Sequence, residues 1–328
     1  MTTARHIVTL LKSHIAGDDD RFLSTAMQLA AHEARQGHDK LAQELKELID
    51  AAKSKTAGVT RQGVAVPLAQ PKGELASLLS ARYPDTRLID MILPAEIEGR
   101  LERVLLEQRQ REQLRSHDLH PRRKLLLVGP PGSGKTMTAS ALAGELRLPL
   151  FTVVLDGLIT KFMGETASKL RLVFDAMNTT RGVYFFDEFD AIGARRGERQ
   201  DVGEIRRVLN SFLQFLEQDE SLGLVIAATN HPELLDKALF RRFDDVIEYA
   251  FPDVTLIERI LQARLDRFDT RGLKWHEAAE CAVGLSQAGI VRAAEDAAKA
   301  ILLRNAKRIT TDALVKAMTE RRTATLSE

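Results

Sequence analysis

The chain has 328 residues, 44% hydrophobic and 28% charged, a balance that supports two or three globular domains with sizeable cores and excludes a wholly disordered chain. Lys and Arg number 47 against 46 for Asp and Glu, so there is no global basic field of the kind that draws a protein to nucleic acid without sequence preference, although a local basic patch stays open. The single Cys281 excludes an intramolecular disulfide; no apolar leader follows Met1, and apolar runs such as 224–228 are far too short to span a bilayer, so the chain reads as cytoplasmic with no membrane partner.

Along the first fifty residues, apolar side chains recur at helical spacing: Ile7, Leu10, Leu11 and Ile15, then Phe22, Met27, Leu29 and Ala30, then Leu41, Leu45, Leu48 and Ile49. Gly17 and Gly37 separate the three groups, which predicts a small N-terminal helical bundle over residues 1–53. Such a module suits docking of a partner or substrate; a cap that only stabilises an assembly is the alternative. His32-Glu33 lacks the second histidine four residues on that a zinc helix requires, the next being His38. Residues 54–86, with Gly58, Gly63, Pro67, Pro71 and Gly73, read as a linker that ends in a helix over 74–82. The following domain begins near Arg87 and opens with a charged helix from Ala95 to about Ser116, whose apolar face is Leu101, Val104, Leu105 and Leu114.

Next comes the stretch around which the chain is organised. The apolar run Leu125-Leu126-Leu127-Val128 leads into Gly129-Pro130-Pro131-Gly132-Ser133-Gly134-Lys135-Thr136, and Met137 starts a helix-forming segment. Strand, glycine loop and helix in this order make a phosphate loop: glycines let successive N–H groups face a polyphosphate, Lys135 neutralises the outer phosphates, and the Thr136 hydroxyl reaches Mg²⁺. Nucleotide binding follows.

Beyond it, strands at 150–155, 182–186 and 222–229 alternate with helices at 135–146, 166–177 and 204–217. This is the pattern of an α/β domain with a parallel sheet and helices on both faces. The strand Val183-Tyr184-Phe185-Phe186 ends in Asp187-Glu188, a Walker B arrangement in which Asp187 holds Mg²⁺, mostly through water, and Glu188 acts as general base on the attacking water. Asn230 follows the next strand, placed to orient water or read the γ-phosphate, and Arg241-Arg242 present two adjacent guanidinium groups. From Pro252 onward the pattern is all helical, with helices at 256–268, 275–282, 287–304 and 311–321.

Together, 129–136, 185–190, 228–230 and 239–244 resemble the AAA ATPases, the ring-forming branch of the AAA+ superfamily, over residues 88–322. The resemblance implies ATP hydrolysis with Mg²⁺, a large α/β subdomain over 87–251, and a helical lid over 252–328. It makes Asn230 a first sensor and Arg241 and Arg242 arginine fingers acting from a neighbouring subunit, which implies a homo-oligomeric ring, usually a hexamer. The family spaces its arginines with Pro-Gly, and their adjacency here leaves open which reaches the phosphate. Lys161-Phe162-Met163-Gly164-Glu165 resembles the pore loop whose aromatic residue grips an extended polypeptide, with Lys161 on the rim, and the arginines of 195–199 resemble a second pore loop. Gly284-Leu285-Ser286-Gln287-Ala288-Gly289-Ile290 matches the lid motif except at Gln287 and Gly289, and Arg292 is the candidate second sensor.

The function implied is protein remodelling or unfolding by threading, a chaperone-like task, with an adaptor or a separate peptidase as further partners. The alternatives are a DNA-associated loader or transposition helper that uses Arg122-Arg123-Lys124 or the arginines of 195–199 on phosphates, and a scaffold in which ATP only drives assembly.

Overall fold

The computed structural model describes residues 71–154, 158, 163–189, 201–235, 237–304 and 308–325, together with 25, 26, 29, 30, 38 and 43. The chain divides into two compact units, Met1–Leu68 and Ala69–Glu328. The three N-terminal helices expected from sequence fall almost wholly outside the described residues, as do Lys161, Phe162 and the arginines of 195–199.

The second unit is built on a six-stranded sheet: β1 (Leu79–Arg82), β2 (Lys124–Val128), β3 (Leu150–Val153), β4 (Val183–Phe186), β5 (Leu224–Thr229) and β6 (Asp245–Glu248), in the order β1-β3-β4-β5-β2-β6. All neighbours are parallel except β1, which runs antiparallel to β3. β4 and β5 are buried at every position, as strands covered on both faces must be. Strand alternation divides their side chains between two cores. Leu126, Val128, Tyr184, Phe186, Val225 and Ala227 pack on one face, while Leu125, Leu127, Val183, Phe185, Ile226 and Ala228 pack on the other.

The first face is covered by α5 (Met163–Thr179) and α6 (Asp201–Gln218), whose Phe174 and Phe212 meet Phe186. The Phe186 and Phe212 rings stand 5.1 Å apart, edge to face. The second face is covered by α2 (Ala95–Arg109) and α4 (Lys135–Leu146) through Ile97, Leu101, Val104, Ala139 and Leu142. A third core belongs to the lid, formed by α8 (Val254–Leu265), α9 (Trp275–Ala282), α10 (Gln287–Leu303) and α11 (Thr311–Thr325). Asp253 caps α8 by accepting from the Leu256 N–H at 2.8 Å, and Ser286 caps α10 by accepting from the Gly289 N–H at 3.2 Å.

Three local expectations need correction. Over 74–82 only α1 (Leu75–Leu78) is helical, and Leu79–Arg82 is the edge strand β1. A helix this short cannot offset its nucleation cost, whereas pairing with β3 satisfies backbone groups that edge would otherwise leave open. The strand therefore lies within the stretch read as linker. The charged helix after Ala95 breaks at Gln110 (φ −100°, ψ 19°) and resumes as the short α3 (Arg111–Arg115). β6, not foreseen, pairs with β2 through an Asp-Val-Ile-Glu segment whose charged ends conceal its strand pattern. Among the described residues no helix is long and apolar enough to cross a membrane.

Candidate functional site

The phosphate loop bridges the carboxyl end of β2 and the start of α4. Gly134 sits at the helix N-cap with φ 101°, a left-handed conformation that a Cβ-bearing residue adopts only at a cost. Gly129 faces a tighter constraint, since a Cβ there would meet the Tyr249 carbonyl oxygen at 2.4 Å. Tyr249 braces the loop further. Its N–H donates to the Val128 carbonyl at 2.7 Å, and its hydroxyl lies 2.6 Å from Thr138 Oγ1. Thr138 in turn donates to the Gly134 carbonyl at 3.1 Å. Burial pushes the Tyr249 phenol up to about 12, with the Thr138 hydrogen bond opposing the shift.

Lys135 is only 7% exposed. Its ammonium donates to the carbonyls of Gly129 at 2.7 Å and Pro130 at 2.9 Å, and to Asn230 Oδ1 at 2.8 Å, with Ser133 Oγ at 3.5 Å. These neutral acceptors hold the cation where a polyphosphate would enter. β5 lies between β2 and β4, so the two acidic residues are one strand removed from the loop rather than adjacent to it. Asp187 nevertheless reaches it: Thr136 Oγ1 donates to Asp187 Oδ2 at 2.9 Å. A hydroxyl and a carboxylate side by side are the oxygen donors a hard divalent cation takes. Glu188 is exposed, with φ 48°, and donates its own N–H to Asp187 Oδ1 at 3.0 Å. A glutamate held left-handed costs about 1–3 kcal/mol, and here it keeps the carboxyl on the cleft wall.

These groups open into a cleft of about 580 Å³ between the sheet and the lid. The cleft takes Pro131, Gly132, Gly134, Lys135, Thr136, Met137, Asp187, Glu188 and Asn230 from the expected set. Met91 and Ile92 on one side and Ile260, Ala263 and Val291 of the lid on the other make an apolar slot for a flat base. The lid is hooked onto the loop, with the Ala288 N–H donating to the Gly132 carbonyl at 3.0 Å and Gln287 Nε2 to the Ile92 carbonyl at 3.3 Å. Arg259 Nη1 adds a third tie, to the Leu93 carbonyl at 3.2 Å, and Gln287, a departure from the lid motif, thus makes one of three.

Three expected residues are not brought here. Arg292 is exposed on α10 and does not line the cleft, whereas Arg264 of α8 does, with an ion pair to Glu295 at 2.7 Å. Arg241 and Arg242 follow α7 (Lys237–Phe240), and neither lines its own chain's cleft. Arg241 is exposed, and Arg242 is ion-paired with Glu217 of α6. Met163 opens α5, with its side chain outside the described residues. Sequence reasoning missed the base slot. Residues 88–94 stood out as an apolar run without an assignment, and Ile260 and Val291 share the helical spacing of the lid core, so nothing local marked them.

The basic run proposed for nucleic acid is largely spent internally. Arg123 is ion-paired with the buried Asp219, and Arg122 lies 3.7 Å from Glu107 and 4.0 Å from Asp245.

Comparison with known proteins agrees with this geometry. The model of the ATPase family associated with various cellular activities (AAA) matches residues 125–251. An uncharacterized AAA family ATPase, y4kL, of Sinorhizobium fredii is 34% identical over 304 residues, covering 92% of this chain and 91% of that protein. The ATP-dependent zinc metalloprotease FtsH 1 of Methylacidiphilum infernorum is 36% identical over 62% of this chain, and the proteasome-activating nucleotidase of Pyrococcus horikoshii 35% identical over 61%. The chain spans only 34% and 52% of those two proteins. The crystal structure of the FIGL-1 AAA domain superposes with a TM-score of 0.61 at 21% identity, covering 78% of this chain and 92% of that one, which shows the shared fold. From the phosphate loop to the last helix of the lid, the chain belongs to the AAA family of ATPases and is an ATP hydrolase.

Proposed function

We propose that this ATPase works as a ring, of six subunits by family resemblance, that couples Mg²⁺-dependent hydrolysis to remodelling or unfolding of a protein substrate. One observation carries the reading: Lys135, Thr136, Asp187, Glu188 and Asn230 all line one cleft, while Arg241 and Arg242 stand off it. Arg264 lines the cleft of its own chain, whereas Arg241 and Arg242 can act on a phosphate only in the cleft of an adjacent copy, by a head-to-tail contact that closes into a ring. Arg241 is the better finger, because Arg242 already holds Glu217.

Within one subunit the loop N–H groups and Lys135 take the phosphates, and Lys135 exchanges its bonds to the Gly129 and Pro130 carbonyls and to Asn230 for phosphate oxygens. Asn230, released, orients the attacking water, and Glu188 accepts its proton. Thr136 and Asp187 are the residues that hold Mg²⁺, which when bound neutralises charge between the phosphates. Ile92, Ile260 and Val291 enclose the base, and the tie of Ala288 to Gly132 carries occupancy of the loop into the lid.

Protein as substrate is supported by the matching segments of an ATP-dependent metalloprotease and a proteasome-activating nucleotidase, and by Lys161-Phe162-Met163 at the position of a gripping loop. Residues 1–53 are assigned to target or adaptor docking, 54–86 to a linker, 87–251 to the ATPase subdomain and 252–328 to the lid. The test is Phe162→Ala, which should leave ATP hydrolysis intact and abolish unfolding of a tagged protein captured by the Glu188→Gln form. Full unfolding activity in the Phe162→Ala enzyme would sink the threading mechanism.

A further inference from the structure

The walls of the base slot grip a ring by its faces and cannot tell one purine from another. Met91, Ile92, Ile260, Ala263 and Val291 supply apolar contact, which any flat base satisfies about equally. Choice among bases needs a polar group at the ring edge. Outside the phosphate end, the polar side chains lining the cleft are Asp90, Arg264 and Gln287. Asp90 is committed to its own turn, where Oδ2 accepts from the Arg87 N–H at 2.7 Å, and Arg264 is ion-paired with Glu295.

Gln287 differs. Half-buried at the start of α10, it stands where the chain departs from the lid motif. Its amide spans the gap between the slot and the phosphate loop. Nε2 donates to the Ile92 carbonyl at 3.3 Å, while Oε1 lies 3.5 Å from the point where a Cβ on Gly134 would stand, with Met91 Cε 3.7 Å from that same point. Among the described residues no donor reaches Oε1. The Ile92 carbonyl fixes which way the amide faces, because turning it over would set Oε1 against another acceptor. Held this way, the amide keeps one Nε2 hydrogen and the Oε1 lone pairs for a ligand.

A donor and an acceptor side by side match the N7 acceptor and the 6-amino donor of adenine, the bidentate pairing by which glutamine reads that base. Guanine and hypoxanthine keep N7 but carry a 6-oxo group, which would meet Oε1 acceptor to acceptor and leave both unpaired. We infer that Gln287 selects adenine over 6-oxo purines, with the Ile92 carbonyl as the group that orients its amide. The inference rests on the reading of this cleft as the nucleotide site.

Calorimetric titration of the full chain with ADP, inosine diphosphate and 7-deaza-ADP, in which a C–H replaces N7, tests it. The wild type should bind ADP about tenfold or more tightly than either analogue. Gln287→Met, similar in length but without the amide, should weaken ADP until the three ligands agree within about threefold, leaving inosine diphosphate nearly unchanged. That retained affinity also reports an intact cleft. Equal losses for ADP and inosine diphosphate in Gln287→Met would mean that the residue only ties down the lid, and an undiminished ADP preference would assign the choice to other groups. Wild-type preference for inosine diphosphate would assign the base edge to the Arg264 guanidinium, a pure donor. Each of these overturns the inference and leaves the cleft as the nucleotide site. Lys135→Ala tests that underlying reading separately: it should abolish binding of all three ligands, and undiminished binding would overturn the site together with the inference.

Discussion

The two ends of the parallel sheet treat charge differently. At the carboxyl ends, Lys135 rests on backbone carbonyls and an amide oxygen, and Asp187 on the Thr136 hydroxyl. At the amino ends, Arg123 is locked to the buried Asp219, and Arg100 to Asp245. The hydrogen bonds named at the carboxyl ends, which a ligand must displace, run between a charged group and a neutral one, from which release is cheap; those that fix strands at the amino ends join opposite charges. Removing a residue at one end should therefore change chemistry, and at the other end stability.

The largest effect is expected at the cleft. Glu188→Gln removes the proton acceptor and should lower ATP turnover by about 10²–10⁴-fold while nucleotide binding, measured by a fluorescent ATP analogue, stays within a few-fold. A matching fall in affinity would mean that Glu188 acts in binding instead. At the other end, Arg123→Ala strands Asp219 as an uncompensated buried carboxylate, with a stability loss of about 3–5 kcal/mol in urea unfolding. If its folded fraction at low temperature binds nucleotide normally, the contrast between the ends holds; loss of affinity would erase it.

How much of this was legible in the sequence follows the same division between local and distant. The phosphate loop, Asp187 and Glu188 are set by contiguous residues whose backbone needs show in their identities, such as the glycine at Gly134 with φ 101°. The order of α/β elements and the four lid helices were legible from periodicity. What escaped depends on residues far apart. β1 exists because β3 offers an edge. The base slot exists because the lid folds back over Met91 and Ile92, and that Arg264 lines the cleft while Arg292 does not depends on which face of each lid helix turns toward it. The bond between Tyr249 and Thr138, 111 residues apart, left no local sign.

That bond gives the smallest predicted effect. Tyr249→Phe should cost about 1 kcal/mol in unfolding and modestly weaken ATP affinity as the loop loses its brace. It should also remove an alkaline sensitivity. The folded protein keeps the Tyr249 phenol protonated up to about 12, above the value near 10 of an unfolded chain. Its contribution is therefore full below pH 10 and lost as pH rises toward 12. An unchanged alkaline melting profile in the phenylalanine form would show that Tyr249 is not responsible.

The claim that a neighbouring copy completes the cleft is tested most directly by mixing two inactive forms. Subunits with Glu188→Gln keep Arg241 but lack the base, and subunits with Arg241→Ala keep the base but lack the finger. In randomly mixed rings about a quarter of interfaces join an intact Glu188 to an intact Arg241, so ATPase activity should reappear on mixing to roughly that fraction of wild type. A mixture no more active than the sum of its parts would contradict the account.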